Sequence, residues 1–192
     1  MKRVMCIGWA AVLLVAATVQ AQPPPAGQRR TLAEAIKGGY NNVKMNLTQA
    51  AEKMPEGDFT FKPGTMSEVR NYGQLFAHVA QAQFGACSAA AAKPNPMTGK
   101  QLEQELKTKA DIVKALNDSF ALCDDAYSSL NDTNAMEFVK QGQGEIQRAA
   151  LLMNNIVHDN EMFGTAAVYM RSKGMVPPST ERMRGMRGRG GE

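Results

Sequence analysis

Two histidines, three cysteines and an aromatic content of 6% are the main shortages of this 192-residue chain, and each removes a class of explanation. With so few imidazoles and thiols, a metal centre or an activated cysteine has to be assembled from distant segments. No serine–histidine–acid arrangement can be argued from spacing. Gly64, Gly73, Gly85 and Gly164 form no phosphate-binding loop and suit turns or close helix contacts instead. No run alternates strongly enough to demand a strand, so no sheet is expected. Beyond the opening segment, nothing is long and apolar enough to cross a bilayer.

That opening segment, MKRVMCIGWAAVLLVAATVQAQ, puts Lys2 and Arg3 before an apolar run and closes on Val19, Gln20 and Ala21. This is the order of a signal peptide over residues 1–21, cut after Ala21. Its uninterrupted apolar part, about fourteen residues, is short for a spanning helix. The expected mature protein is exported, to a periplasm or the extracellular space, without stable membrane insertion. Cleavage removes two of the 22 basic residues and leaves 20 against 18 acidic ones, so the net charge falls from +4 to +2. A nucleic-acid partner is excluded by so even a balance. Cys6 leaves with the segment. Cys87 and Cys123 remain, and in an exported chain they allow either one disulfide or two buried thiols.

What the chain does contain is helical periodicity, with Ala, Leu and Met plentiful. After a flexible leader at 22–30, QPPPAGQRR, the residues Leu32, Ile36, Tyr40, Val43, Leu47, Ala51 and Met54 draw one apolar stripe on a helix over 31–53. MPEGDFTFKPGT breaks it. Thr65 and Glu68 have capping-box spacing and predict a second helix over 67–90, with Tyr72, Phe76, Val79 and Cys87 inward. A long connection follows, with a short helix expected around KQLEQEL. Thr108 and Asp111 then start a third helix over 108–130, carrying Ile112, Leu116, Phe120, Cys123 and Tyr127. The last spans 144–172, with Ile146, Ala150, Met153, Val157 and Met170 inward. The fold class expected is all-α, a four-helix bundle over residues 31–180. The Arg/Gly-rich tail at 181–192, ERMRGMRGRGGE, is expected to be disordered.

Three phrases in order, SEVRNYGQLFAHVAQAQFGACS, KTKADIVKALNDSFALCD and VHDNEMFGTAAVYMRSKGMVPPS, make the chain resemble the DinB-like family of bacterial helical bundles, a DNA-damage-inducible group unrelated to the polymerase of that name. The likeness covers roughly 30 to 180. It implies an up-down-down-up four-helix bundle, often a homodimer. It also implies a divalent-metal site, zinc or nickel, from one histidine on the second helix and two on the last, four residues apart. His78 matches the first ligand and His158 the second. Where the family reads HDN-x-H-x-G, this chain reads HDNEMFG, so Met162 stands at the third position. The resemblance also implies that the second and third helices run parallel. Cys87 and Cys123 then come to the same end, and a disulfide between them is expected.

The exchange at 162 has chemical weight. Residues 158 and 162 share one helix face, and two imidazoles there could hold an ion with a third from a facing helix. A thioether is a soft, weak donor, better for cuprous copper than for zinc or nickel. Glu161 offers another completion, a site of His78, His158 and Glu161. The expected function is therefore an exported helical protein with a degenerate metal site, holding no metal or a weakly bound zinc or nickel ion, and a small-molecule ligand in its cleft. The alternative is a divalent-metal-dependent hydrolase or thiol transferase using His78, His158 and Glu161, with Asp159 free to move the proton.

Overall fold

Thr31 opens the first helix: its hydroxyl accepts the Glu34 amide while the Glu34 carboxylate takes the Thr31 amide. This reciprocal cap starts α1 (Leu32–Lys53). The computed structural model describes Gly27 and residues 29–189. The expected signal peptide, its cleavage site and most of the 22–30 leader lie outside the described residues.

The second helix, α2 (Tyr72–Ala90), begins later than the expected 67, and Thr65 does not cap it. Asn71 does, accepting the Gln74 amide as the Gln74 side chain takes the Asn71 amide. The reason lies in the loop before it. Phe59 and Phe61 carbonyls accept the amides of Gly73 and Tyr72, which ties the loop to the helix start, and Gly64 turns with φ +75°. A single turn, α3 (Leu102–Glu105), sits in the connection. Thr108 then caps α4 (Lys109–Ser129) through the Asp111 amide.

A hairpin precedes the last long helix. Strand β1 (Phe138–Gln141) pairs antiparallel with β2 (Gly144–Gln147), with Val139 opposite Ile146, and Gly142 turns at φ +59°. Neither strand is long enough to show alternation, which is why none was legible. The next helix, α5 (Arg148–Ser172), therefore starts after 147 rather than at 144. Past Pro177 the chain forms α6 (Pro178–Arg189), with proline at the first helical position where its missing amide costs nothing. The expected disordered tail is thus helical through Arg189. Glu181 pairs with Lys53, and Arg182 bonds Asn46 and Gln49, so α6 is anchored on α1. The simple four-helix bundle is corrected accordingly: the described residues form six helices and a two-stranded hairpin.

Contacts give the directions of the long helices. The start of α1 meets the end of α4, where Asp132 accepts the Ala33 amide and Tyr40 bonds Asp124 at 2.8 Å. Helices α2 and α4 run parallel, with Gly73 against Ile112 at one end and a Cys87–Cys123 disulfide near the other, Cα atoms 5.1 Å apart. Helix α5 is antiparallel to α2: Tyr169 donates to the Arg70 carbonyl, and Arg148 reaches the Ala90 carbonyl. The core centres on Tyr40 stacked on Tyr127, centroids 3.8 Å apart, with Val43, Leu47, Phe76, Leu116 and Leu152 around them.

The inward face of α5 also departs from expectation. Met170 is buried as expected, but Met153 and Val157 are 46% and 65% exposed, while Leu152, Asn155, Asp159, Met162 and Phe163 are buried. The buried stripe contains two polar residues, so a search for apolar spacing selects the wrong side. No helix among the described residues is long and apolar enough to cross a membrane.

Candidate histidine cleft

The antiparallel packing of α2 and α5 brings His78 and His158 together, with ring centroids 5.1 Å apart and planes tilted by 53°. Both side chains are partly open, at 29% and 28% exposure. His78 Nδ1 lies 2.6 Å from Glu103 Oε1, and Arg70 Nη2 lies 3.3 Å from the same nitrogen. One ring nitrogen cannot donate to the carboxylate and accept from the guanidinium at once. The shorter contact decides: Nδ1–H donates to Glu103. Arg70 Nε also binds Glu103, at 2.7 Å. Burial would raise the Glu103 carboxyl, but hydrogen bonds from Arg70 and His78, with their charges, outweigh it and hold the group below the usual range.

His158 is oriented from beneath. Its Nδ1 lies 3.3 Å from Asp159 Oδ1, and Asp159 is fully buried. Asp159 Oδ2 accepts from Gln83 Nε2 at 2.8 Å and from Asn155 Nδ2 at 3.4 Å. Gln83 Oε1 in turn accepts from Ser119 at 2.6 Å. Asn155 also donates to the Tyr127 hydroxyl. Burial raises the Asp159 carboxyl above the usual range, although hydrogen bonds from His158 and Gln83 oppose the shift. The network joins α2, α4 and α5 under the cleft. It is a polar layer whose members pair with one another.

The remaining expected ligands do not join. Glu161 is exposed, and among the described residues its carboxylate makes no hydrogen bond; the Thr165 hydroxyl donates to its carbonyl. Three helical steps from His158 turn it about 60° one way, and four turn Met162 about 40° the other, into the packed side. Met162 is 9% exposed. Among the described residues no group of three or more His, Cys, Asp or Glu side chains is placed to hold a metal ion. Two imidazoles and a buried thioether do not fit the three-histidine centre that the resemblance implies.

Several residues of the cleft carried no sequence signal. Glu103 lies in the crossover, and only the return of that segment onto α2 makes it the partner of His78. Gln83, Ser119 and Asn155 look like ordinary polar residues until three helices meet. What the arrangement offers chemically is a pair of Nε2 atoms at one cleft mouth. Each ring is oriented through its other nitrogen by a carboxylate, and neither Nε2 has a hydrogen-bond partner among the described residues.

The comparisons with known proteins agree with this geometry at the level of fold. A crystal structure of a DinB-like protein from Bacillus subtilis at 2.30 Å resolution is similar, with a TM-score of 0.58 and 17% identity. The match covers 74% of this chain and 94% of that one. At that identity the likeness concerns the fold alone. No curated protein matches the sequence. The sequence model of the DinB family matches residues 40–189, a span that takes in both histidines, the crossover and α6. The chain belongs to the DinB family.

Proposed function

We propose that this DinB-family protein is exported and acts as a small-molecule binding protein whose two-histidine cleft builds no tight metal site. Met162 carries the reading. It stands one turn after His158 on α5 and is buried in the packed wall, while the neighbouring Glu161 is exposed. Two imidazoles at the cleft mouth, each with an Nε2 that has no partner among the described residues, favour a small polar ligand that hydrogen-bonds both Nε2 atoms. Export is supported by the order of charge, apolar run and small residues at the amino terminus. The Cys87–Cys123 bridge belongs to an oxidising compartment and supports it further.

Calorimetric titration of untagged, signal-cleaved protein with zinc and nickel tests the metal part. Native protein binds either ion weakly or not at all, and Met162→His tightens binding by roughly tenfold or more, about 1.4 kcal/mol. Tight native binding that Met162→His leaves unchanged overturns the reading. Mass spectrometry of the processed chain tests export, and Gln22 is the expected new amino terminus.

One observation favours the second reading, a metal-dependent hydrolase or thiol transferase. Both histidines are oriented through Nδ1 by carboxylates, as metal-bound histidines usually are. That reading needs a third donor, and elemental analysis of the untagged protein with stoichiometric metal is the result that would restore it.

A further inference from the structure

At the C-terminal end of α2 the β1–β2 hairpin folds over the helix and encloses a cleft of about 560 Å³ that shares no wall residue with the histidine pair. Its wall carries three cations, Lys93, Lys140 and Arg148, against one carboxylate, Glu145. Lys93 approaches Asp125 only to 3.6 Å, with both side chains more than half exposed, so that pair is a weak competitor for its charge. Glu145 stands across the ladder from Lys140. Arg148 binds the Ala90 carbonyl and Glu137 through its two terminal nitrogens.

Two wall residues keep an unanswered donor. Ser88 is 1% exposed, and among the described residues its Oγ has no hydrogen-bond partner; Arg148 Nε is buried and has none there either. Buried donors are nearly always paired, and an unpaired one is costly to keep. Ala92, at the cleft rim, adopts φ +52°, a left-handed conformation that a residue with a Cβ rarely takes. The rest of the wall is mostly apolar, with Val139 buried and Phe138 65% exposed at the edge. The α2 C-terminus adds about half a negative charge against an anion. Three wall cations less the Glu145 carboxylate leave two positive charges, and with Arg148 also paired to Glu137 the remaining one still exceeds it.

We propose that this cleft binds a small organic carboxylate with an apolar body. A carboxylate accepts from unpaired donors of this kind, the lysines supply the countercharge, and Val139 and Phe138 supply an apolar surface for the body. An inorganic anion would leave that apolar wall unused.

Calorimetric titration of the untagged mature protein with 2-naphthoate tests the proposal, with neutral 2-naphthylmethanol as the control for charge. Naphthoate is expected to bind one saturable site, and the alcohol about tenfold more weakly or less. The double variant Lys93→Gln, Lys140→Gln removes two exposed cations; it should keep the wild-type melting midpoint and bind naphthoate about tenfold more weakly. Ser88→Ala should also weaken binding, and His78→Ala should not. No saturable binding of naphthoate overturns the proposal, as does equal affinity for the alcohol or wild-type affinity in the double variant. A loss of binding in His78→Ala alone overturns it too, and assigns the anion to the histidine cleft.

Discussion

His78 and His158 stand 5.1 Å apart at their ring centroids, yet each is held by a different kind of carboxylate. Glu103 is half-open and kept ionised by Arg70, while Asp159 is fully buried and pushed towards its neutral form. The two rings share a cleft without sharing a chemical environment, and the consequences can be measured one by one.

Glu161→Gln should change neither zinc titration nor the thermal midpoint, because Glu161 is exposed and its carboxylate takes no part in the cleft. Glu103→Ala should behave differently. In a Met162→His background it should weaken zinc binding by about 10–100-fold, the usual cost of removing a carboxylate that orients a metal-bound histidine. Equal affinities with and without Glu103 would show that His78 needs no such support.

Asp159 should give the fold an acid-side advantage. Its folded carboxyl holds a proton more tightly than the unfolded one, so its contribution is complete below the unfolded value of about 3.9 and is lost as pH rises through the elevated folded value. Glu103 has the opposite sign. Its contribution is present above the unfolded value and lost as pH falls through a depressed one. The two windows lie on opposite sides of the ordinary carboxyl range. Urea midpoints measured from about pH 4 to pH 8 should therefore fall through the upper window in the native protein, and Asp159→Asn should flatten that part of the profile.

Replacing Cys87 and Cys123 together by alanine removes a cross-link between residues 36 apart in sequence. Loop-closure entropy predicts a loss of about 3–4 kcal/mol, read as a lower midpoint in guanidinium chloride. A loss below about 1 kcal/mol would mean that the tight α2–α4 packing already restrains the unfolded chain.

Ala92 occupies the left-handed position just past α2, where the amides of Ala92 and Lys93 return to the Ala89 and Ser88 carbonyls. Glycine is the usual residue there. A left-handed L-residue costs roughly 1–2 kcal/mol, and glycine gives back roughly 0.4–1 kcal/mol in the unfolded chain. Ala92→Gly should therefore stabilise the protein by about 0.5–1 kcal/mol, visible as a rise in the melting midpoint.

Gly73 tests the other end of the same helix pair. A Cβ there would stand 2.9 Å from Ile112 Cδ1 and 3.3 Å from the Phe59 carbonyl oxygen. The isoleucine methyl can move, but the carbonyl cannot easily, since it accepts the Gly73 amide itself. Gly73→Ala should cost about 1–3 kcal/mol, and adding Ile112→Val should recover only part of it.

How much of this was legible beforehand varies by residue. The α1 stripe of Ile36, Tyr40, Val43 and Leu47 is buried as its spacing required, and Thr108 caps α4. Those features depend on neighbours three or four residues away. The meeting of His78 and His158 followed from family likeness, since no local pattern relates them. The α5 face was misjudged because Asn155 and Asp159 are buried by a network whose other members lie on α2 and α4. Asn71, rather than Thr65, begins α2 because Phe59 and Phe61 hold the loop; both residues have capping chemistry, and only the tertiary contact separates them. Glu103 and α6 were hidden for the same reason. Each is defined by what it folds back against.

The β1–β2 turn, exposed and bent at Gly142, also divides the molecule in a covalent sense. On its amino-terminal side lie His78, Arg70, Glu103 and the closed ring of the disulfide; on the other side lie His158, Asp159 and Met162. Exposed tips of this kind are where a protease cuts most readily. A single nick there would leave two pieces that each own one imidazole and its orienting carboxylate. The cleft is then a property of their reassembly, and the return of its binding signal on mixing would report the docking of α5 directly.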